Sequence, residues 1–157
     1  MKIRPIEPND LVDIVSLIQE FAEFENLTSY CVVDENKLEA AMFGEHAIVE
    51  GFVAIDNDDV MTGYALYYPG FSSFRGELGL NLEDLYVRES SRGLGVGRML
   101  LKEVAKAARQ RGLVRLDLMV NIENPGANAF YKSLGAKSNP NERHFKFSDQ
   151  AFIELAR

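Results

Sequence analysis

The chain contains few of the residues that mark redox, metal or membrane proteins. Its one cysteine, Cys31, has no partner for an internal disulfide. The two histidines, His46 and His144, have no metal-ligand spacing, and the features around them favour structural roles, so we expect no metal site. No apolar run approaches the roughly 18 to 20 residues that span a bilayer. Because the first residues also lack the apolar run of a signal peptide, a soluble cytoplasmic protein is predicted.

Basic residues are also in the minority. The chain has 24 acidic and 17 basic residues, which gives a formal net charge of −7. Such a field repels phosphate backbones, so nucleic acid is not an expected partner. The acidity either steers small cations to the protein or only keeps it in solution, and composition does not decide between the two.

Hydrophobic periodicity predicts one mixed α/β domain over residues 1–157. Apolar residues recur at three- and four-residue spacing in 11–24, which is typical of an amphipathic helix. A cluster of Asp and Asn at 56–59 joins two strand-like runs into a hairpin. The predicted strands are 2–6, 47–55, 60–68, 80–87, 113–120 and 143–148. The predicted helices start near Pro8, Asp34, the glycine-rich segment and Asn124, with a weak one at the C-terminus.

A glycine-rich segment between a strand and a helix is the most informative part of the chain. It reads Arg92, Gly93, Leu94, Gly95, Val96 and Gly97. Alternate glycines allow backbone N–H groups to point into one concavity, and the helix N-terminus adds positive potential, so the segment suits a pyrophosphate. It matches neither the P-loop nor the dinucleotide-binding fingerprint. The alternative is a tight turn that binds nothing.

This segment resembles the Q/R-x-x-G-x-G/A loop of GNAT acetyltransferases, and Asn124 through Tyr131 resembles their N-x-x-A-x-x-x-Y signature. Residues 43–46, 82–84 and 130–136 further resemble the spermidine/spermine and thialysine acetyltransferase group. The resemblance covers nearly the whole chain. It implies a GNAT fold with a central, mostly antiparallel twisted sheet of about six to seven strands and about four flanking helices. It also implies acetyl-CoA as co-substrate and a homodimer, which residues 64–68 and the last strand would supply with apolar surface.

The resemblance also assigns residues to the cofactor. Backbone groups for the pantetheine arm would come from Leu85, Tyr86 and Val87. The pyrophosphate would lie on the glycine-rich segment, from Arg92 and Gly93 to Gly97, and on the next residue, Arg98. Further contacts would come from Asn124, Ala127 and Tyr131, the last beside the sulfur. For Asn124, a helix cap explains the residue equally well.

Acetyl transfer to an amine needs a base, because an alkylammonium has a pKa of about 10.4 in water. Glu83 is the candidate, acting through water, since a carboxylate inside a central strand needs a functional or paired reason to be there. The alternative is that Glu83 forms an ion pair with an arginine or caps a neighbouring loop. Tyr131 is the candidate acid for the leaving thiolate, and a packed, hydrogen-bonded phenol is its alternative.

Five residues occupy positions where the resembled enzymes meet their amine: Phe24, Glu25, Asp84, Asp117 and Met119. Acidic side chains there would pair with an ammonium, although Glu25 equally suits a solvated helix face. Polyamine-specific members carry an acidic residue where this chain has Ser72 and Ser73, and a tryptophan that this chain lacks. The sequence therefore favours short amines or lysine-like amino acids. A protein lysine or N-terminal acetyltransferase and a non-enzymatic acyl-CoA-binding module are the alternatives.

Overall fold

The computed structural model describes residues 1–157, and the chain divides into two units, 1–119 and 120–157. The first unit contains every strand and three α-helices, and the second contains two α-helices. The expectation of a single domain over 1–157 remains a prediction.

Five strands form one sheet in chain order. They are β1 (Lys2–Pro5), β2 (Glu50–Ile55), β3 (Met61–Ser72), β4 (Glu77–Val87) and β5 (Leu116–Leu118). The first four pair antiparallel, and β5 runs parallel to β4. The mixed α/β class and the mostly antiparallel sheet are therefore confirmed, whereas the expected number of six to seven strands is wrong.

Two differences account for the smaller sheet. The predicted strand 113–120 contributes only the three residues of β5, and the segment 143–148 forms no strand. Phe145 and Phe147 in that segment are exposed, and their unit contains no strand with which their backbone could share ladder hydrogen bonds. Conversely, β3 extends to Ser72 and β4 begins at Glu77, so both are longer than the predicted strands 60–68 and 80–87, because cross-strand pairing orders residues with weak β propensity.

Three helices flank the sheet. They are α1 (Leu11–Phe24), α2 (Glu35–Phe43) and α3 (Val96–Gln110). α1 has the predicted bounds, and the Asp34 side chain caps α2 by accepting a hydrogen bond from Lys37 N–H at 2.8 Å. Apolar side chains of α1 and α2 form one buried cluster with Val53 and Tyr64. The buried side chains of α3 lie outside that cluster while α3 packs on β2, β3 and β4, so it covers the opposite face.

The second unit contains α4 (Pro125–Ser133) and α5 (Asp149–Leu155). Asn124 caps α4, since its Oδ1 accepts a hydrogen bond from Ala127 N–H at 3.0 Å. The helix ends just before Gly135, which has the positive φ of a left-handed C-terminal residue. No helix in the chain is both long enough and apolar enough to cross a membrane.

The apolar surface from which we predicted a homodimer is not exposed on β3. Tyr64 and Tyr67 are 0% and 2% exposed, because β3 has a neighbouring strand on each side and helices on its faces. The other expected support, a strand at 143–148, is not formed. The homodimer stays a prediction without these two supports.

Candidate active site

The sheet opens where β4 separates from β5. β4 pairs with β5 only over Leu80–Leu82, so residues 83–87 of β4 have no strand beside them on that edge. A β-bulge lies at the same place. On β3, Leu66 is opposite Asp84 and the next residue, Tyr67, is opposite Leu82, which leaves Glu83 as the extra residue. The bulge and the loss of the parallel partner create an open strand edge.

The backbone of this edge can pair with an extended ligand. Arg88 N–H donates to Thr62 O at 2.9 Å, so the antiparallel alternation directs the N–H and C=O groups of Leu85 and Val87 away from β3. Tyr86 alternates with them, and its backbone groups face β3. The Tyr86 side chain is buried and stacks on Phe21 with ring centroids 5.3 Å apart. Of the three predicted pantetheine residues, Leu85 and Val87 thus present backbone groups to the open edge.

The glycine-rich segment folds as a loop that ends in α3. Gly93 and Gly95 have φ values of 76° and 80°, in the left-handed region that favours glycine. Gly95 is the N-cap of α3, and Met99 N–H donates to its carbonyl at 3.0 Å. The N–H groups of Val96, Gly97 and Arg98 precede that first helical hydrogen bond, so they have no partner within the helix. Together with the helix dipole, they form a cradle that fits an anion.

Arg92 ties this loop to two other elements. Its Nε donates to Val87 O at 2.9 Å. Its guanidinium lies 4.5 Å from the ring centroid of Phe24 at the end of α1 and 5.8 Å from that of Tyr86. A guanidinium over aromatic faces is attracted by their π electrons. Arg92 therefore fixes the loop to the ends of β4 and α1, a structural role that the motif did not predict.

Among the acidic groups near the open edge, Asp84 has the pKa that departs most from its usual value. Burial raises its pKa to about 6, the charge of Glu83 adds to the shift, and a hydrogen bond from Tyr64 partly opposes it. The Tyr64 hydroxyl donates to Asp84 Oδ2 at 3.0 Å. Burial, followed by the charge and hydrogen bond of Asp84, also raises the pKa of Tyr64 well above its usual value. The pair forms a half-buried proton-binding site.

Tyr64 was not identified from the sequence as a site residue. It lies on β3 opposite Tyr86, two residues along β4 from Asp84. Its aromatic strand was interpreted as apolar surface, and the register that brings its hydroxyl to Asp84 is set by tertiary pairing. Knowledge of that pairing was the missing signal.

Glu83 is exposed at the bulge, which corrects the expectation of a carboxylate enclosed in a central strand. An extra residue in a bulge is not held in the pleat, and its side chain reaches solvent. Burial raises the pKa values of Asp84 and Tyr68, and the negative charge of Glu83 adds to both shifts, so Glu83 lies near both residues. Glu83 forms no salt bridge, and the ion pair considered as an alternative is not found.

The other predicted substrate residues have different settings. Asp117 on β5 lies opposite Asn81 and forms a salt bridge with Arg115. Met119 follows β5 and is largely exposed, and Glu25 is the C-cap residue of α1. Tyr131 belongs to the second unit, where its half-buried ring packs edge-on against Phe130 at 5.0 Å between centroids. The first unit thus brings together the anion cradle, the open strand edge, Phe24 and the carboxylates of β4.

A second recess in the first unit has a different character. It has a volume of about 270 Å³ and lies between the end of β1, the end of α2 and the C-terminal end of α3. Its charged groups, Glu50 and Arg111, bond to each other, and Tyr67 donates to Glu50. Because its carboxylate is paired with Arg111, the recess lacks the unpaired carboxylate and the anion cradle of the open edge.

An anion cradle beside an open strand edge that carries Asp84 and Glu83 agrees with the arrangement expected of an acyltransferase. Residues 13–136 match the Acetyltransferase (GNAT) family. The chain belongs to this family and is an N-acetyltransferase.

Known relatives agree with this assignment. The chain is 34% identical over 164 residues to a thialysine N-epsilon-acetyltransferase of Bos taurus, covering 98% of this chain and 96% of that protein. It is 27% identical over 180 residues to an L-ornithine N5-acetyltransferase of Arabidopsis thaliana, covering 87% and 79% of the two chains. Its fold is similar to that of an integron cassette protein of V. cholerae, with a TM-score of 0.82, 27% identity and coverage of 99% and 97%.

We expect Asp84→Asn to stabilise the fold at neutral pH relative to the unchanged protein. The raised pKa of Asp84 means that the folded state binds a proton more tightly than the unfolded state. This stability is present below the usual pKa of Asp and is lost as pH rises through about 6. Urea unfolding at pH about 4 and about 7.5 should show the unchanged protein losing about 1 to 3 kcal/mol relative to the variant.

The exposed α2 residue Glu39 offers the matched control. Glu39→Gln should show no such pH-dependent difference from the unchanged protein. If Asp84→Asn follows the same pH profile as Glu39→Gln, the carboxyl group of Asp84 is not perturbed by burial.

Proposed function

We propose that the chain transfers the acetyl group of acetyl-CoA to a primary amine of a small cationic substrate, by direct attack within a ternary complex. The observation that carries the proposal is the position of Asp84 and Glu83 at the open edge of β4, in the unit that also holds the anion cradle. Two carboxylates attract an ammonium group, and one of them reaches solvent, where a proton can be released. The names of the thialysine and ornithine relatives support amino acids with a side-chain amine.

The residues of the first unit fit acetyl-CoA. Acetyl-CoA, when bound, supplies the acetyl group as a thioester. The N–H groups of the first turn of α3 and the loop glycines would hold the pyrophosphate, and the backbone of Leu85 and Val87 would hydrogen bond to the pantetheine arm. Asn124 and Ala127 stay in the proposed cofactor set on the family resemblance alone.

The two carboxylates of β4 take different parts in the proposed reaction. Asp84 is half-buried and fixed by Tyr64, so it would orient the reacting amine. Glu83 is exposed and would accept the amine proton through water, because a carboxylate in contact with solvent can pass that proton on. Phe24 would pack against the alkyl part of the amine. Tyr131 would hold the proton that the departing thiolate needs, a role based on the resemblance.

A protein acetyltransferase is the remaining alternative. The structure favours the small amine through the closely placed carboxylates and the half-buried Asp84, which suit one ammonium group. A cytoplasmic location and a homodimer complete the proposal. The location is suggested by the single free cysteine, and the dimer by the resembled family.

Thiol release from acetyl-CoA tests the function directly. The panel should contain lysine, thialysine, ornithine, cadaverine, putrescine, spermidine, spermine and a lysine-containing peptide, with products identified by mass. Turnover of small amines above that of the peptide supports the proposal. Thiol release only with the peptide would establish the protein acetyltransferase, and none above hydrolysis with any amine would contradict both.

Tyr131→Phe should lower turnover by about 100-fold, the lower end of the usual effect of general acid catalysis. The change removes one hydroxyl and keeps the ring, so the fold and the KM for acetyl-CoA should survive. Turnover and melting temperature are measured on one preparation. A variant with full turnover and a stability loss of about 1 kcal/mol would instead assign the hydroxyl to packing.

Gly95→Val should raise the KM for acetyl-CoA by about tenfold, because a β-branched residue at positive φ costs roughly 1 to 2 kcal/mol or distorts the loop. An added Cβ at this position meets no atom within 4 Å, so the effect comes from the backbone and not from crowding. Gly95→Asn is the matched control, since asparagine tolerates this conformation, and it should keep most of the affinity. Equal KM values for both variants and the unchanged enzyme would remove the loop from the cofactor site.

A further inference from the structure

One face of β4 and β5 continues the site beyond Asp84 as a polar floor. Leu66, Tyr68 and Gly70 alternate along β3 and therefore share a face, and their partners on β4 are Asp84, Asn81 and Gly79. The bulge thus places the side chains of Asp84 and Asn81 on one surface. The two glycines, Gly70 and Gly79, make room for neighbouring side chains, since a Cβ on Gly70 would lie 2.3 Å from Asn81 Nδ2.

Arg115 covers this floor. The missing Cβ of Gly79 would lie 3.1 Å from Cβ and 3.4 Å from Cγ of Arg115, so the arginine side chain lies on the same face. Its guanidinium forms a salt bridge with Asp117, which is opposite Asn81. The floor therefore carries a carboxylate at one end and a guanidinium–carboxylate pair further along.

The guanidinium of Arg115 is incompletely satisfied by the protein. Its Nη1 is enclosed and has no hydrogen-bond acceptor, while the side chain as a whole is 30% exposed. Because part of the Arg115 side chain is exposed, an anionic ligand can reach the guanidinium, and its planar fork is suited to a carboxylate.

The spacing of the floor matches an amino acid with a side-chain amine. Asp84 is opposite Leu66 on β3, and Asn81 is opposite Tyr68, two residues further along that strand. Two residues of a strand span about 7 Å, so Asp84 and Asn81 are about that far apart along the strand direction. Asp117 lies beside Asn81 on β5. From the ω-amine of an extended lysine to its carboxyl carbon is also about 7 Å, given six bonds of about 1.5 Å in a zigzag. An amine held at Asp84 therefore brings the α-carbon end to Asp117 and Arg115.

We propose that the Arg115–Asp117 pair recognises the α-carboxylate and α-ammonium of a lysine-like amino acid whose ω-amine lies at Asp84. This inference rests on the proposed function and specifies its substrate class. The two charges of the pair complement the two charges of the amino-acid head. A diamine of the same length lacks the carboxylate and brings its second ammonium toward the arginine cation. Arg115 therefore selects amino acids over diamines.

Lysine and cadaverine provide a matched comparison, because cadaverine is lysine without its carboxylate. For the unchanged enzyme, kcat/KM for lysine should exceed that for cadaverine. Arg115→Gln should lower kcat/KM for lysine by about 10- to 100-fold, the effect of one charge-assisted interaction, and should leave cadaverine unchanged or improved. Ornithine and putrescine repeat the comparison one carbon shorter.

Three further variants isolate the effect. Arg109→Gln is the control, since Arg109 is exposed on α3, which covers the opposite face of the sheet, and should keep the preference for lysine. Arg115→Lys keeps the charge but loses the planar fork, and should restore part of the preference. The double variant Arg115→Gln/Asp117→Asn removes both charges, so it should lower kcat/KM for lysine without raising kcat/KM for cadaverine.

Direct binding provides a readout that does not need turnover. Calorimetry with lysine and with cadaverine, at saturating CoA, should show tighter lysine binding that Arg115→Gln abolishes. The inference would be overturned if Arg115→Gln lowered the affinities for lysine and cadaverine equally, or if the variant kept the preference for lysine. Robust acetylation of cadaverine at or above that of lysine would also overturn it and leave the proposed function standing. Absence of turnover with every small amine would contradict the proposed function.

Discussion

The separation of β4 from β5 is the constraint on which the site depends. Sheet pairing ends at Leu82, and the bulge at Glu83 follows at once. A fully paired β4 would satisfy its backbone against β5 and leave no edge for an extended ligand. The bulge also reorients the strand, so that Asp84 lies on the face of Tyr64 while Glu83 reaches solvent. One extra residue thus provides the edge and separates the two carboxylates into different environments.

The burial of Asp84, which the proposed function requires, lowers the stability of the fold at neutral pH. A half-buried carboxylate with a pKa of about 6 is an unfavourable group in a folded domain at neutral pH. The hydrogen bond from the fully buried Tyr64 lowers that penalty and fixes the carboxyl orientation. Aromatic packing then extends from Tyr64 through Tyr86 to Phe21, and Arg92 joins the same group. The carboxylate of Asp84 is therefore supported by the core, and Arg92 connects the glycine-rich loop to the same aromatic side chains.

Charge patterning of the floor gives the enzyme a means of choosing its amine. Ser72 and Ser73 replace the acidic loop residue expected for long polyamines, and Asp117 is already paired with Arg115. A second ammonium at that end would thus meet a neutralised carboxylate instead of a free one. The α-carboxylate and α-ammonium of an amino acid would instead pair with Arg115 and Asp117. This contact would explain why the chain lacks the acidic loop residue of the polyamine enzymes.

Local sequence signals determined the elements and the cofactor loop. The bounds of α1 follow from its apolar stripe, the capping of α2 from Asp34, and the left-handed loop positions from Gly93 and Gly95. These features depend on backbone conformation and short-range hydrogen bonds, which neighbouring residues specify. The family motif likewise identified the segment that precedes α3. Tertiary structure alone decided the bulge at Glu83, the Tyr64–Asp84 bond, the place of Arg115 over Gly79 and the absence of a strand at 143–148. Each depends on which strand lies beside which and in what register, and residues distant in the chain set that register.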